Sequence, residues 1–374
     1  MIANLYYLQP LLGSLAARFR TDAQTAGLVA TLMQLGYAAG LALIVPLGDL
    51  HDRRKLIVTL LTLSALVLGG VAAAPVLPLF AVAAALVGVC SVAAQVLVPF
   101  AASLASDSER GRVVGTVMSG LLLGILLART VSGLVAGRLG LPALYLLAAL
   151  LTLTLAGVLW RALPRDPRPA PSLTYGELLA STLALLREEP RLRQRSLYGA
   201  LGFAAFSVFW TGLALLLSGA PYRYTPEMIG LFGLVGAAGA LAASWAGRLA
   251  DAGYAARSTL GFSLCVLLAY LTLLPGGTSL LALLLGVVLL DLGVQGLHIT
   301  NQSEVYRLRP EARARITTVY LTSYFLGGSL GSAAASVAFQ RGGWLALCGC
   351  GLVCGAGLLL LQARAAWQTA PSQR

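Results

Sequence analysis

The sequence is poor in charge. Only 11% of its 374 residues are Asp, Glu, Lys or Arg, whereas 58% are hydrophobic. Soluble domains carry about a quarter charged residues, and a soluble protein of this composition would expose apolar patches large enough to cause aggregation. The shortage of charge therefore argues against the soluble classes and predicts a polytopic membrane protein.

Residues that bind metals or form disulfides are also scarce. The chain has two His and five Cys, and all the cysteines fall in apolar stretches without metal-ligand spacing. We therefore expect buried free thiols and no metal site. No Gly-Lys-Ser/Thr motif follows a strand, and no Ser/His, His-Glu-x-x-His or paired-Asp set lies at one depth. The sequence thus predicts neither an ATP-driven pump nor an enzyme, and no cofactor.

The positive charge has a distribution that argues against nucleic acid binding. The formal net charge is +12, and Lys55 is the one lysine among 26 cationic residues. These residues lie in short loops between apolar runs instead of forming a stripe with interleaved aromatic residues. Such a pattern follows from the rule that cytoplasmic loops of membrane proteins are positive.

Apolar runs of membrane-spanning length recur along the whole chain. We predict an all-α membrane protein with twelve transmembrane helices in two pseudo-symmetric six-helix halves. The predicted spans are 2–18, 25–47, 55–74, 77–104, 112–137, 142–162, 196–218, 227–249, 257–275, 279–305, 314–339 and 343–363.

The loop charges predict the orientation. With both termini in the cytoplasm, 20 of the 26 Arg and Lys residues lie on the inner side and five on the outer side. We therefore expect a multi-pass protein of the bacterial inner membrane. The first span lacks a long apolar run and a basic flank before Asn4, so helix 1 is expected to be shortened at its N-terminus and a signal peptide is disfavoured.

One long polar stretch divides the chain. Four prolines between 164 and 171 predict an extended linker, and Thr174 with Glu177 forms a capping-box pattern before a leucine-rich segment. We expect an N-terminal half at 1–163, a cytoplasmic linker with a short amphipathic helix at 164–195, and a C-terminal half at 196–374.

A charged turn occurs once in each half. The first copy is Gly48-Asp-Leu-His-Asp-Arg-Arg-Lys55, and the second is Gly247-Arg-Leu-Ala-Asp251. The first turn resembles motif A of the major facilitator superfamily, Gly-x-Leu-Ala-Asp-Arg-x-Gly-Arg-Lys, although it is two residues shorter. Within that superfamily, the chain is most similar to the drug:proton antiporter and arabinose-efflux branch, partly through Asn4-Leu-Tyr-Tyr-Leu-Gln-Pro in helix 1.

The resemblance implies a conformational latch at these turns, in which carboxylates meet helix N-termini and arginines. The implied latch residues are Gly48, Asp52, Arg53, Arg54, Lys55, Gly247 and Asp251. The alternative is an inner-face turn that only obeys charge topology.

Span 5 departs from the antiporter branch. Where motif C ends in Gly-Pro-x-x-Gly-Gly, this chain has Ala128-Arg129-Thr-Val-Ser-Gly133, so Arg129 stands at the proline position. Arg129 is too basic to shuttle a proton, so it would hold a charge. Its partner would be an anionic substrate, Asp291 or backbone carbonyls.

Asp291 is the deepest carboxylate in the predicted spans. It lies about twelve residues into span 10, close to mid-bilayer, where ionisable residues are functional candidates. His298 is two turns further along the same helix. We predict that both residues take part in proton coupling, with a hydrogen-bonded, neutral Asp291 as the structural alternative.

Further polar and aromatic residues would line a central cavity if helices 1, 4, 7 and 10 are arranged as the resemblance implies. The predicted cavity residues are Asn4, Tyr7, Gln9, Gln95, Arg129, Phe206, Trp210, Gln295 and Gln302. Most are uncharged, which favours a neutral or weakly charged substrate. For individual residues the alternatives are interhelical hydrogen bonds and, for the aromatic residues of span 7, packing against lipid.

The sequence thus predicts a secondary transporter that exports a small drug-like or sugar-like compound by alternating access. The partners would be that substrate, protons and the lipid bilayer, with the proton gradient as energy source and a monomer as the working unit. Uptake by symport or facilitated diffusion is the alternative within this class. A membrane sensor or lipid-handling scaffold is the alternative from another class.

Overall fold

The computed structural model describes residues 1–106, 109–166, 174–242, 254–309 and 312–369, and the described part of the chain is helical. The described residues include 3-10 segments at Ile2–Leu5, Gln9–Leu11 and Leu274–Gly277. The α-helices are α1 (Leu12–Phe19), α2 (Ala23–Leu43), α3 (Leu47–Leu50), α4 (Arg53–Ala73), α5 (Leu77–Cys90), α6 (Ala93–Leu104), α7 (Arg110–Ala162), α8 (Tyr175–Glu188), α9 (Pro190–Ser218), α10 (Pro226–Ala242), α11 (Ala255–Leu273), α12 (Leu280–Tyr306) and α13 (Arg313–Thr369).

Within these described ranges, eight helical stretches are long and apolar enough to cross a membrane. Two of them, in α7 and α13, exceed 45 residues, which is over twice the length needed for one crossing. Each is broken by glycine: Gly140 has φ 83° in α7, and Gly343 has φ 60° in α13. Glycine tolerates this left-handed region without a Cβ clash, so each break separates two segments of membrane-spanning length.

Two predicted spans are not continuous helices. The first, at 2–18, consists of two 3-10 turns followed by the eight-residue α1. The fourth, at 77–104, is divided into α5 and α6 near Ser91, whose hydroxyl donates to the carbonyl of Val87 at 2.7 Å. The eighth is described as far as Ala242. The all-helical class is confirmed, and the count of twelve stays a prediction.

The chain forms two compact units. The first comprises Met1–Ala184 with Arg223–Leu234, and the second comprises Leu185–Tyr222 with Val235–Arg374. The segment Arg223–Leu234, which follows the predicted linker in sequence, thus packs with the first unit.

Glycine allows close helix packing inside each unit. In the first unit, a Cβ at Gly40 would lie 2.6 Å from the carbonyl oxygen of Val89, so α2 and α5 touch through their backbones. In the second unit, Cβ atoms at Gly327 and Gly331 would overlap the backbone of α9 at Ala200 and Ala204. Small residues are expected at such helix crossings in membranes.

Candidate functional site

Asp291 lies in the interior of the second unit. Helix α12 begins after Ser279, whose hydroxyl accepts from the amide of Ala282 at 3.3 Å, and Asp291 is about 17 Å further along the axis. Its side chain is 5% exposed. The indole Nε1 of Trp210 donates to Oδ1 at 3.4 Å, and Oδ2 lies against Gly236. The predicted cavity residue Trp210 is therefore a direct neighbour of the predicted proton carrier.

His298 lies about 10 Å further along α12 and belongs to a separate cluster. Its Nδ1 is 3.0 Å from the hydroxyl of Tyr320, and its ring lies 4.5 Å from that of Tyr324 between centroids. Gln295 and Gln302 are half-buried on the same helix. The second proton-coupling candidate is therefore held by two tyrosines of α13.

The aromatic residues of α9 are all buried in the second unit. Phe206 stacks on Phe203 with centroids 5.4 Å apart, and Trp210 lies 6.0 Å from Phe206 and 5.4 Å from Phe209. Each of the four is at most 3% exposed. The alternative that some of them pack against lipid is therefore wrong.

Arg129 is buried in the first unit, with 4% of its surface exposed. Its Nε donates to Oε1 of Gln9 at 2.7 Å, and its guanidinium carbon lies 5.0 Å from the ring centroid of Tyr6. The neighbouring Thr130 donates to the carbonyl of Gly230 at 3.0 Å. Two predicted cavity residues, Gln9 and Arg129, are thus hydrogen-bonded to each other.

The other predicted cavity residues of the first unit occupy different surroundings. Gln95 donates to the hydroxyl of Tyr37 at 3.1 Å, as expected for the alternative of an interhelical hydrogen bond. Tyr7 is half-buried. Asn4 is 2% exposed, and its Nδ2 makes no hydrogen bond to the described residues. A buried amide donor in this state is uncommon in folded proteins.

The first charged turn joins the ends of several helices in the first unit. Asp52 caps α4 by accepting from the amide of Lys55 at 3.2 Å. Arg53 donates to Ser103 at 3.2 Å and forms an ion pair with Asp166 at 3.7 Å. Arg54 donates a hydrogen bond to the backbone carbonyl of Trp160, and its guanidinium lies over the ring of Trp160.

Two other predicted latch residues, Gly48 and Lys55, belong to the same turn. Gly48 is buried, and a Cβ there would lie 3.3 Å from Val96, so the turn packs closely on α6. The side chain of Lys55 is exposed. Gly247 and Asp251, the second copy of the turn, lie outside the described residues. The latch role stays a prediction.

A partly buried ion pair in the second unit was not among the predicted site residues. Arg195 on α9 pairs with Glu304 on α12 at 3.2 Å, and it donates to Thr259 at 2.9 Å and to Asn301 at 3.3 Å. The sequence signal is weak, because an Arg that begins one span and a Glu that ends another satisfy ordinary loop topology equally well.

Other partners of the candidate residues were likewise not predicted from the sequence. Tyr6, Tyr320 and Gly236 touch Arg129, His298 and Asp291 respectively. Tyrosine and glycine are frequent in membrane helices, so type and spacing alone do not single them out. Among the described residues, no group of three or more His, Cys, Asp or Glu is arranged to hold a metal ion.

Comparison with known proteins agrees with the helical fold and the charged turn. The family model described as Major Facilitator Superfamily matches residues 1–332. The chain is 47% identical to the uncharacterized transporter YgaY of Escherichia coli O157:H7 over 350 residues, which cover 93% of this chain and 88% of the relative. It is 34% identical to a protein named "Probable transporter SCO4007" of Streptomyces coelicolor over 359 residues, or 96% and 82% of the two chains.

A solved structure supports the same fold. The crystal structure of a bacterial homolog to the human lysosomal transporter Spinster, in an inward-facing and unoccupied conformation, matches with a TM-score of 0.72 at 14% identity. The match covers 98% of this chain and 93% of the other. With the family match over most of the chain and relatives named as transporters, the chain belongs to the major facilitator superfamily of membrane transporters.

Proposed function

We propose that this transporter couples export of a small organic compound to proton entry, with Asp291 as the residue that binds and releases the proton. The observation that carries the proposal is the burial of this carboxylate, 5% exposed, in the middle of a membrane-spanning helix. The proton gradient supplies the energy, and the chain works as a monomer without a cofactor.

The low-dielectric interior of a membrane protein makes an unpaired charge costly. An ionised carboxylate at this depth is expensive, whereas a protonated one is not. The Nε1 donor of Trp210 stabilises the ionised form through a charge-assisted hydrogen bond. A carboxylate that is buried in the membrane interior and accepts from a neutral donor is suited to alternate between its two protonation states during a transport cycle.

His298 is proposed as a second site on the proton path. The imidazole has two ring nitrogens that can hydrogen-bond, and the hydroxyl of Tyr320, at 3.0 Å from Nδ1, is a suitable relay partner. Gln302 lies about one turn further along α12.

The cavity chemistry supports a small organic substrate. In the second unit, the buried rings of Phe206 and Trp210 favour an apolar or sugar-ring surface, and the half-buried Gln295 adds an uncharged polar group. A drug-like or sugar-like compound fits this lining. Export is proposed from the similarity of the chain to the antiporter branch, partly through Asn4-Leu-Tyr-Tyr-Leu-Gln-Pro in helix 1.

Uptake or facilitated diffusion is the second candidate, because Arg129 occupies the place of the motif C proline in span 5. The candidate from another class is a transporter-like sensor or a scaffold that handles lipids. The deep carboxylate favours transport over both of these non-transport roles, since neither requires a proton-binding group at mid-membrane depth.

The first charged turn is proposed as a latch that holds one conformation of the cycle. Its support is the set of contacts from Arg53 to Ser103 and Asp166 and from Arg54 to Trp160. These contacts join separate helices at the face that the loop charges assign to the cytoplasm. We propose that the protein lies in the bacterial inner membrane with this face toward the cytoplasm, and that both termini also lie on the cytoplasmic side.

The decisive experiment measures proton movement in proteoliposomes with a pH-sensitive dye inside. Sugars and lipophilic cations are added one at a time to the wild type, Asp291→Asn and the control Asp22→Asn. Asp22 is an exposed helix cap, and asparagine serves equally well as a cap.

We expect a substrate-dependent proton flux that is lost in Asp291→Asn and kept in Asp22→Asn. The sign of the flux gives the direction of proton movement relative to the substrate. Equal flux in Asp291→Asn and wild type would make Asp291 structural. Substrate movement without proton movement would favour facilitated diffusion. If no compound moves, the sensor or scaffold becomes the better explanation.

A further inference from the structure

An open groove, the α13 groove, lies between the two arms of α13, 313–341 and 344–369, beside the break at Gly342 and Gly343. Its volume is about 680 Å³, within the range of about 300–1,000 Å³ that is usual for ligand sites. Arg341 is the one charged residue among the described residues of its lining. The apolar part of the lining comes from both arms and comprises Ala333, Ala334, Val337, Ala338, Ala346 and Cys350.

The groove exists because its lining residues are small. The strongly exposed positions of the same helix outside the groove hold large apolar residues, Leu330, Leu345 and Val353. The alanines therefore leave a depression in a surface that is otherwise built of long apolar side chains. One flexible apolar chain can lie in such a depression and gain van der Waals contacts along its length.

Both arms are held from inside the second unit, so the groove is preformed. Ser332, next to the groove residue Ala333, hydrogen-bonds to Thr211 of α9 at 3.0 Å. Trp344, directly after the break, is buried and donates to the carbonyl of Leu273 at 2.7 Å. A preformed site loses little conformational entropy when a ligand enters it.

The length of the groove matches one leaflet of a bilayer. From Ala333 to Arg341 the first arm rises about 12 Å, and half of a hydrocarbon core is about 15 Å thick. The break at Gly342 and Gly343 separates the predicted spans 11 and 12, so it belongs at the membrane surface. The α13 groove thus runs from the headgroup region into the apolar part of one leaflet, with its charge at the headgroup end.

The charge of Arg341 is not neutralised within the described part of the chain. Arg341 is exposed and forms no hydrogen bond or ion pair with the described residues. The predicted topology places it on the outer side, where cationic residues are depleted. The equivalent residue of the first half is Arg138, since Arg112 and Arg315 have the same separation in sequence. Arg138 interacts electrostatically with the carboxylate of Glu227, so the first half supplies the anion that Arg341 lacks among the described residues.

We propose that the α13 groove binds an anionic phospholipid, with an acyl chain along the alanines and the phosphate on Arg341. Phosphate oxygens are strong acceptors for a guanidinium. A soluble anion lacks the chain that fits the apolar part of the groove, and a lipid without net charge leaves the charge of Arg341 in place. This site lies wholly in the second unit, and it is independent of the transported compound and of proton coupling.

The test is native mass spectrometry of the purified full chain, released from detergent micelles after titration with lipid. The probes are phosphatidylglycerol, phosphatidylcholine with the same acyl chains, and glycerol 3-phosphate as a headgroup without chains. We expect the first phosphatidylglycerol to bind at least about fivefold more tightly than phosphatidylcholine. Glycerol 3-phosphate should not bind.

Two positions test the two parts of the site separately, and both are exposed, so the changes do not disturb the interior. Arg341→Gln should lose the preference for phosphatidylglycerol, whereas Arg341→Lys should keep most of it because the charge remains. Ala334→Leu places a longer side chain in the groove and should weaken the binding of phosphatidylglycerol. The controls are Arg138→Gln and Ala356→Leu, an exposed alanine of the same helix outside the groove, and both should bind like wild type.

Four outcomes would overturn the proposal. The wild type could bind both lipids equally, or Arg341→Gln could keep the preference for phosphatidylglycerol. Ala334→Leu could bind as tightly as Ala356→Leu, in which case the lipid does not occupy the groove. Finally, the same spectra could show a dimer of the chain that is lost in Ala334→Leu, and the occupant would then be a second copy of the protein.

Discussion

Oδ2 of Asp291 occupies the space that a side chain at Gly236 would need. A Cβ at Gly236 would overlap this oxygen and would lie 3.0 Å from Cζ2 of Trp210. The carboxylate of Asp291 therefore reaches from α12 into the space between α9 and Gly236, because α10 offers no side chain at this position. Within the second unit, glycine is as much a part of the candidate proton site as the tryptophan that donates to Asp291.

Gly236→Ala should displace the carboxylate from its place. The added methyl group forces Asp291 away from the Trp210 donor, so we expect substrate-driven proton flux to fall by roughly tenfold or more and the free energy of unfolding to fall by about 1–3 kcal/mol. Proteoliposome flux and thermal unfolding of the purified protein measure the two effects.

The matched control is Gly261→Ala on α11, where a Cβ would meet no atom within 4 Å. That variant should keep its flux. If Gly236→Ala transports as well as Gly261→Ala, Asp291 does not need its present position, and the proposed proton site loses its geometric basis.

Gly133 permits a similar close approach in the first unit. A Cβ there would overlap the carbonyl oxygen of Pro226, and one at Gly230 would lie 2.6 Å from the carbonyl oxygen of Arg129. Gly133→Ala should force α7 and α10 apart and weaken the bond from Thr130 to Gly230. We expect a loss of about 1–3 kcal/mol in stability, measured by thermal unfolding in detergent.

Gly120→Ala on the same helix is the control, because no atom lies within 4 Å of its Cβ position. Alanine is the better helix former by up to about 1 kcal/mol, so this variant should be neutral or stabilised. Equal melting temperatures for the two variants would mean that the helices adjust to the added methyl group.

The membrane class and the charged turn were predictable because each is a local property of sequence. Apolar length predicts spans, and the spacing of Gly48 and Asp52 predicts a turn between two of them. The resemblance to motif A indicates the major facilitator superfamily, and the model of that family matches the chain. The division of span 4 at Ser91 and the 3-10 turns of span 1 were not predictable from hydropathy, which measures apolar content and not helix continuity.

The deep ionisable residues were also predictable, since charge at mid-membrane depth is rare. Their partners were not. Whether Gln9 meets Arg129, or Gly236 meets Asp291, depends on the helical phase and packing of segments over fifty residues apart. A single sequence carries no signal for such a pairing when the partner is a common residue such as Tyr or Gly.

The capping box before α8 predicts a pH dependence. Hydrogen bonds from the backbone and hydroxyl of Thr174 lower the pKa of Glu177 below its ordinary value of 4.5. The stabilisation of the helix start by Glu177 is therefore complete above pH 4.5 and is lost as the pH falls through the lowered pKa. Hydrogen exchange of the first turn of α8, corrected for intrinsic rates, should show less protection at pH 3 than at pH 6.

Glu177→Gln provides the comparison, because glutamine also accepts in a capping box but does not titrate. This variant should keep its protection at both pH values. A pH dependence that persists in Glu177→Gln would point to another group.

Glu304→Gln tests the ion pair with Arg195, whose partners have 15% and 27% of their side chains exposed. Removing the negative charge leaves the arginine partly buried beside the neutral acceptors Thr259 and Asn301. We expect a loss of about 2 kcal/mol in stability, since a charge deprived of its partner in a buried site is costly.

The matched variant is Glu109→Gln, which breaks a pair whose side chains are 80% and 56% exposed and should change stability by less than about 0.5 kcal/mol. Thermal unfolding of both variants at low and high salt decides the matter, because only an exposed pair is screened. If both variants lose the same small amount, the Arg195 pair contributes no more than a surface contact, and the start of α9 and the end of α12 are held together by their apolar packing.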